Sequence, residues 1–470
     1  MSASRILVIG SGGREHAIAW RLARDPHAPT VHVGPGNAGI AQHFACHAVR
    51  ASDPAAVVAL ASELRAELIV IGPEAPLAAG VADALIAAGL TVFGASREGA
   101  RLEASKWYAK QVMREAGVPT ADAVACTDAA AARATLDRFG PPWVLKADGL
   151  AAGKGVLVTT DRPSAEAFAQ ACLEGTRFGE GGRRLVIEEF LPGVEASVIA
   201  ICDGERHLLL PAARDHKRAF DGDTGDNTGG MGAFAPLAEV TPALEAQVSE
   251  RIVAPVLRVM AGRGAPYRGA LYVGLMLAPS GPKVVEFNAR FGDPETQVMM
   301  PLVGGSLTQC LAAAACGRLP ANMTDGQAVP APGAGAAGAL AAAGARPDVE
   351  PCVRLAGAAV AVALADVDYP GTPRGGGRIA GLEGLEAACP GVTVFHAGTR
   401  FDAGEWRVAG GRAAYVMAVD ENVAAARERA YAAIARLGGE GWRVRRDIAA
   451  SAEQRTLEHG PAGPVVRGVD

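Results

Sequence analysis

KVVEFNARFGDPETQ, residues 283 to 297, is the stretch on which the reading of this chain turns. Its Val-rich opening predicts a β-strand. Successive side chains of a strand face opposite ways, so Glu286, Asn288 and Arg290 share one face. That face is too polar for a core. A carboxylate and a carboxamide two residues apart can hold a hard cation through oxygen, and the arginine brings a fixed positive charge for an anion. Taken alone, the same residues would suit the solvated side of an edge strand, so the rest of the chain has to decide.

With 470 residues, half of them hydrophobic, the chain is long enough for several domains with ample cores. A formal net charge of -5 offers no electrostatic case for nucleic acid. No apolar run is long enough to span a bilayer, and MSASRILVIGSGG is too short in apolar residues for a signal peptide, so a cytoplasmic protein is expected. The eight cysteines are scattered without C-x-x-C or zinc spacing, which predicts reduced, mostly buried thiols. Six lysines stand against 39 arginines, and five of them (Lys106, Lys110, Lys146, Lys154, Lys217) fall between residues 106 and 217. A compact ammonium retained in an Arg-rich chain hints at phosphate, although such clustering also arises by chance.

Upstream, RILVI (5–9) reads as a buried parallel strand, and GSGGREHA as a glycine turn opening a helix. Gly10 and Gly12 start a dinucleotide fingerprint, but Glu15 stands where its third glycine belongs, which favours a single phosphate over a pyrophosphate. TVHV ending in GPGNAG, ELIVIGPEAPL with Glu74, and LTVFGAS repeat the strand-loop-helix order. Their polar loops all follow strand C-termini, where an open parallel sheet places its ligand. From residue 104 an amphipathic helix leads to PWVLKADGLAAGKGVLVTT (142–160), whose spacing fails the P-loop and fits a glycine lid closing over phosphates, or a plain hairpin turn. In IEEF, Glu188 and Glu189 point to opposite faces, so one at most enters a given cleft unless the backbone acts as a hinge. RDHKRAFDGDTGDNTGGMGAF (214–234) reads as a long polar loop with little regular structure, 241–262 as a helix, and 269–289 as a hairpin. Residues 320–348 read as an Ala/Gly/Pro-rich linker or insertion, 352–366 as a strand of a final domain without obvious chemistry, and the tail from 451 as frayed.

GSGGREHA, PGNAG, GPEAPL, LEASK, KADGLAAGKGV, IEEFLPGVEAS, DHKR, NTGGMGA, EFNARFGDPETQ, FHAGT and RRDI, in this order, resemble the phosphoribosylamine-glycine ligase family, the glycinamide ribonucleotide synthetases of the ATP-grasp superfamily. The resemblance implies an α/β multidomain architecture. It has an N-terminal open parallel α/β sheet over residues 1–103 and a central ATP-grasp fold over 104–319, with a lid at about 120–192. The insertion at 320–348 and a smaller C-terminal α+β domain at 349–450 follow, then the tail. It implies ATP- and Mg2+- or Mn2+-dependent ligation of glycine to 5-phosphoribosylamine through glycyl phosphate, by a monomer or weak homo-oligomer without nucleic-acid or membrane partners. Glu286 and Asn288 match the metal ligands; Arg290, Lys146 and Glu286 are the expected catalytic residues. Lys106, Lys146, the lid residues Gly149, Gly153, Lys154 and Gly155, the hinge Glu188, Glu189, Phe190 and Leu191, and Glu195 match nucleotide contacts. Gly12, Gly13, Arg14, Glu15, Asn37, Glu74, Asp215, Lys217 and Arg290 are the expected substrate contacts.

The chain departs from the family pattern at Asp226, at Asp366, Val367 and Asp368 before YPG, and at Ala449. The alternatives are another ATP-grasp ligase with a different amine or acid, a dinucleotide-dependent oxidoreductase built on the N-terminal turn, and a non-catalytic nucleotide-binding regulator.

Overall fold

The computed structural model describes residues 3–150, 155–176, 184–278, 280–320, 328–329, 352–450 and 452. Gly153 and Lys154, nearly all of the 320–348 segment and the tail beyond 452 lie outside the described residues.

Near the N-terminus five parallel strands lie in the order Ala45–Cys46, Thr30–Pro35, Arg5–Gly10, Leu68–Ile71, Val92–Phe93. The central strand is apolar without alternation because both its faces are covered. Leu7 and Ile9 pack with Val57 and Ala61 of helix Pro54–Glu63, while Ile6 and Val8 pack with Ile18 and Leu22 of helix Gly13–Leu22. Each such fully buried side chain stabilises by about 1.5–3 kcal/mol. Asp53 caps the first of these helices by accepting from the Ala56 N–H, with Pro54 at its first turn.

Two antiparallel sheets follow. One runs Ala123–Cys126, Leu185–Glu188, Trp143–Ala147, Val156–Thr159 and carries helices Ala129–Phe139 and Arg162–Leu173 over a core of its own around Leu136, Trp143 and Phe168. The other runs His207–Leu209, Val194–Asp203, Arg268–Ala278, Gly281–Asn288. In the last pair Gly274 faces Glu286 but Leu275 faces Val284, so Val285 is an extra residue. The buried positions Val284 and Phe287 are accordingly three apart, while Glu286 and Asn288 keep a common side. Arg290 lies beyond the strand, which ends at Asn288.

A third antiparallel sheet corrects one sequence expectation. Arg214–Phe234 is not an irregular loop. It holds the strands Arg214–Asp215, Arg218–Phe220 and Thr224–Asn227, and Gly232–Ala235 begins within it. The first and last of these join Ala358–Asp366, Arg412–Asp420 and Val392–His396 in one sheet. Gly and Asp disguised these strands, each too short for a legible alternation. The 352–366 segment is likewise two strands, Val353–Leu355 and Ala358–Asp366, with Ala328–Val329 paired to the first. The helix expected at 241–262 runs as Pro242–Val248 and Ala254–Gly262 joined by a wider π-turn at Ser249–Val253. Among the described residues all eight cysteines are free and five are buried, and no helix is long and apolar enough to cross a membrane.

Candidate active site

The C-terminal ends of the parallel strands, the two antiparallel sheets and the third sheet converge on one open cleft of about 1330 Å³. At its inner end Lys146, from Trp143–Ala147, and Lys110, from helix Lys106–Glu115, both reach Glu188 Oε2, at 3.0 and 3.2 Å. Lys146 also donates to the carbonyl of Val285, the bulged residue, at 2.9 Å. Lys110 donates to Thr120 Oγ1 and the Ala121 carbonyl. The three charged side chains are at most 4% exposed. Burial pushes the Lys110 ammonium down to about 8, and Lys146 adds to this against the pull of Glu188. Two cations on one carboxylate leave a net positive charge suited to phosphate, and Glu188 Oε1 is buried without a partner. Of the adjacent pair, Glu188, the last residue of its strand, meets the two lysines, while Glu189, beyond the strand, meets Lys283 at 3.6 Å; both border the cleft, with Phe190 and Leu191.

Gly149 and Gly155 edge the cleft on the lid side. Glu195 pairs with Lys217 at 2.6 Å on the opposite wall. Lys106 Nζ lies 2.9 Å from Glu286 Oε2. Burial alone would raise the Glu286 carboxyl, but Lys106, with Lys217 and Lys146 behind it, holds it well below the usual carboxylate range. An ionised carboxylate with the carboxamide of Asn288 two residues on, 8% exposed, offers two oxygen donors that fit a hard divalent cation. Among the described residues no group of three or more His, Cys, Asp or Glu offers an all-protein cage.

Arg290 is held by Glu103 at 2.9 Å, by Glu74 at 3.4 Å and by the Phe291 carbonyl at 3.1 Å. Burial opposes its charge, but the two glutamates outweigh this and keep it firmly protonated. Gly12, Arg14, Glu74, Asp215, Lys217 and Arg290 all line the cleft. Burial, reinforced by Glu295, pushes the Asp215 carboxyl well above its usual range, and its Oδ1 has no partner.

Gly13, Glu15 and Asn37 stand behind this wall rather than on it. Glu15 is 2% exposed, accepts from the Gly12 N–H at 2.7 Å and pairs with Arg14. Its side chain lies across Gly10 and Gly72, where an added Cβ would come within 2.3 and 2.1 Å of it. The volume over the strand ends is therefore already filled by a carboxylate. A Cβ on Gly13 would strike Tyr415 and Gln297, so that glycine serves packing. The Asn37 amide donates to the Ser11 and His396 carbonyls while its oxygen accepts from Gly39 and Ile40, bracing the PGNAG loop.

Residue-level reading named Lys110 only within the lysine cluster and missed Glu103, Asp293, Glu295, Tyr369 and Arg412; all six line the cleft or hold a residue that does. Glu103, Asp293 and Glu295 sit inside LEASK and GDPETQ, so a signal was present without a role attached. Nothing in YPG or GGRAAY marked Tyr369 or Arg412.

Comparison with known proteins accounts for nearly the whole chain. Residues 4–103, 104–296 and 359–451 match the N, ATP-grasp (A) and C domains of phosphoribosylglycinamide synthetase. A phosphoribosylamine–glycine ligase of Streptomyces coelicolor is 47% identical over 449 residues, covering 95% of this chain and 99% of that protein. One from Caulobacter vibrioides is 45% identical over 94% of this chain and 97% of its own length. The crystal structure of the Thermotoga maritima phosphoribosylamine–glycine ligase superimposes with a TM-score of 0.77 at 32% identity, covering 95% of this chain and all of that one. A biotin carboxylase domain from Hydrogenobacter thermophilus, TM-score 0.66 at 18% identity, shares the fold alone. The chain belongs to the phosphoribosylglycinamide synthetase family.

Proposed function

We propose that this chain joins glycine to 5-phosphoribosylamine with cleavage of ATP to ADP and phosphate through phosphoryl transfer, forming glycinamide ribonucleotide, the second step of purine biosynthesis. The observation that carries the reading is the convergence in one cleft of the Lys110–Glu188–Lys146 cluster, the Lys106–Glu286 pair beside Asn288, and Arg290. A carboxylate is a poor electrophile until one oxygen becomes a leaving group. Phosphoryl transfer to glycine supplies this as glycyl phosphate, and the amine then attacks the acyl carbon and releases phosphate. Three anionic partners must share the cleft, and fixed cations reduce their repulsion.

Lys146 faces the phosphates with Lys110 buried behind it on Glu188, and Lys106 lies nearer the transferred group. The backbone after Glu188 borders the base, and Glu195 suits a ribose hydroxyl. Glu286 and Asn288 would hold Mg2+ or Mn2+, which would supply positive charge to stabilise the transferred phosphoryl group. Arg290 orients the glycine carboxylate, exchanging it against Glu74 or Glu103. Gly12 and Arg14 with Glu74, Asp215 and Lys217 form the amine side.

The test is ADP release with glycine and phosphoribosylamine generated in situ, each omitted in turn. Equal ADP formation with unrelated amines would move the reading to another carboxylate-amine ligase of this fold. Glu15, filling the space a dinucleotide pyrophosphate needs, opposes the oxidoreductase alternative. Loss of turnover in a folded Glu286→Ala protein would oppose the regulator alternative.

A further inference from the structure

Sequence reading gave the C-terminal region no chemistry, yet two of its side chains grip the same glycine of the central region. Tyr369, just past strand Ala358–Asp366, accepts a hydrogen bond from the Gly229 N–H through its hydroxyl at 2.8 Å. Arg412, at the head of strand Arg412–Asp420, donates through Nη1 to the Gly229 carbonyl, and to those of Gly230 and Asp293 at 3.2 Å each. Both peptide groups of Gly229 are thus held from across a domain boundary. Burial opposes the Arg412 charge, but Asp293 together with Tyr415, Tyr369 and Asp215 outweighs this and keeps it a cation. Both Tyr369 and Arg412 also border the cleft.

The gripped loop lies back to back with the amine side of the site. The Thr228 N–H and hydroxyl both donate to the Lys217 carbonyl, at 2.7 and 2.9 Å, and the Met231 N–H donates to the His216 carbonyl. Gly230, at φ +109°, leaves so little room that a Cβ would meet Asp215 Oδ1 at 2.5 Å and Pro294 Cδ at 2.3 Å. A displacement of Gly229 therefore moves the backbone that presents Asp215 and Lys217. Among the described residues the phosphate end of the nucleotide site, built on Lys146 and Glu188, makes no hydrogen bond to this loop, and Glu195 at the ribose side reaches it only through the flexible side chain of Lys217.

The grip is backed by a buried carboxylate. Asp366, one of the departures from the family pattern, is fully buried, and its carboxylate accepts from the backbone N–H groups of Asp368, Arg374 and Gly375 at 2.9, 3.1 and 2.9 Å. The Tyr369 N–H donates to the Asp366 carbonyl. A carboxylate that collects three N–H groups fixes the turn carrying Tyr369.

We infer that Tyr369 and Arg412, with Asp366 behind Tyr369, are positioning residues that set the Asn227–Gly230 loop and through it the affinity for the phosphoribosyl substrate, leaving nucleotide affinity alone. This rests on the ligase reading above.

Isothermal titration separates the two. Glycinamide ribonucleotide, the stable product, and ADP are titrated into wild type, Tyr369→Phe and Arg412→Lys. Tyr369→Phe removes only the accepting oxygen; Arg412→Lys keeps the charge but withdraws the longer-reaching Nη1 that bonds the three carbonyls. The expected result is a 5- to 20-fold weaker dissociation constant for the ribonucleotide in each variant, with that for ADP within twofold. Unchanged ribonucleotide affinity in both variants, or a parallel loss of ribonucleotide and ADP affinity, overturns the inference. Failure of the wild type itself to bind the ribonucleotide would instead sink the ligase reading. If Arg412→Lys does not fold, Tyr369→Phe alone decides.

Discussion

Lys106 pairs with the carboxylate proposed to hold the metal ion. Its Nζ is 2.9 Å from Glu286 Oε2, with the two side chains 15% and 23% exposed. At an effective dielectric of about 20 such a contact is worth roughly 5 kcal/mol gross. Desolvation and side-chain ordering reduce this to about 1–3 kcal/mol net for a partly buried pair. Replacing Lys106 with Met frees Glu286 of this competitor, so Mn2+ should bind the nucleotide-free protein about 5- to 150-fold more tightly. ATP should bind more weakly, because the same ammonium faces the phosphates. Opposite signs for the two ligands are the diagnostic outcome. Free Mn2+ can be followed by its electron paramagnetic resonance signal and ATP by calorimetry, with Glu286→Gln as the control expected to lose Mn2+ binding. If Lys106→Met left Mn2+ affinity unchanged or lowered it, Glu286 would not be the metal's carboxylate, or the pair would be too weak to compete.

Three further outcomes are expected. Glu188→Gln leaves Lys110 and Lys146 buried without their shared carboxylate and should lower unfolding free energy by about 3–5 kcal/mol in urea titrations. Because Lys110 titrates near 8 when folded and near 10.5 when unfolded, the folded state binds fewer protons between those values. Stability should therefore rise from pH 8 to 10.5 by a few kcal/mol more in wild type than in Lys110→Met. Ala449, buried at φ +63°, sits where the left-handed backbone costs an L-residue about 1–2 kcal/mol. The unfolded-state freedom of glycine and the lost methyl offset part of that, so Ala449→Gly should range from neutral to about 1 kcal/mol more stable. A loss of 1 kcal/mol or more would show that the methyl packing outweighs the strain.

Sequence legibility followed how local the cause was. Glu286 and Asn288 were readable because strand alternation is a local rule, and it survived the bulge at Val285, which shifted only the residues before it. Arg290 was assigned to the right cleft for an incomplete reason, since it lies past the strand and is aimed by Glu74 and Glu103 instead. Glu15 was legible as a broken fingerprint but not as the plug between Gly10 and Gly72, because Gly72 comes from another strand. Asn37 looked like a ligand group, yet its bonds to Ser11 and His396 close a contact spanning most of the chain. Lys110 was one of five clustered lysines, and only burial against Glu188 distinguishes it from a surface charge. The strands of the 214–234 stretch exist because Ala358–Asp366 lies beside Gly232–Ala235, a pairing that no local propensity encodes.

The cations and anions of the cleft share a pattern that bears on how binding proceeds. Lys106 is matched by Glu286, Lys110 and Lys146 by Glu188, Lys217 by Glu195, Arg290 by Glu74 and Glu103, and Arg412 by Asp293. Cations left unpaired so close together would repel one another and disorder the cleft in the absence of ligand. Paired, they are held at the spacing the ligands need, and each arriving anion or metal exchanges with an internal partner rather than meeting a bare charge. Net affinity is then a difference between two ion-pairing arrangements, which keeps individual ligands from binding too tightly to be released. Removing an internal carboxylate should accordingly strengthen capture of some anions while impairing turnover. Glu103→Gln, which frees Arg290 from its shorter pair, is where this trade should be clearest: a lower KM for glycine together with a lower kcat. A fall in kcat with an unchanged or higher glycine KM would show that Glu103 aims Arg290 rather than competing for it.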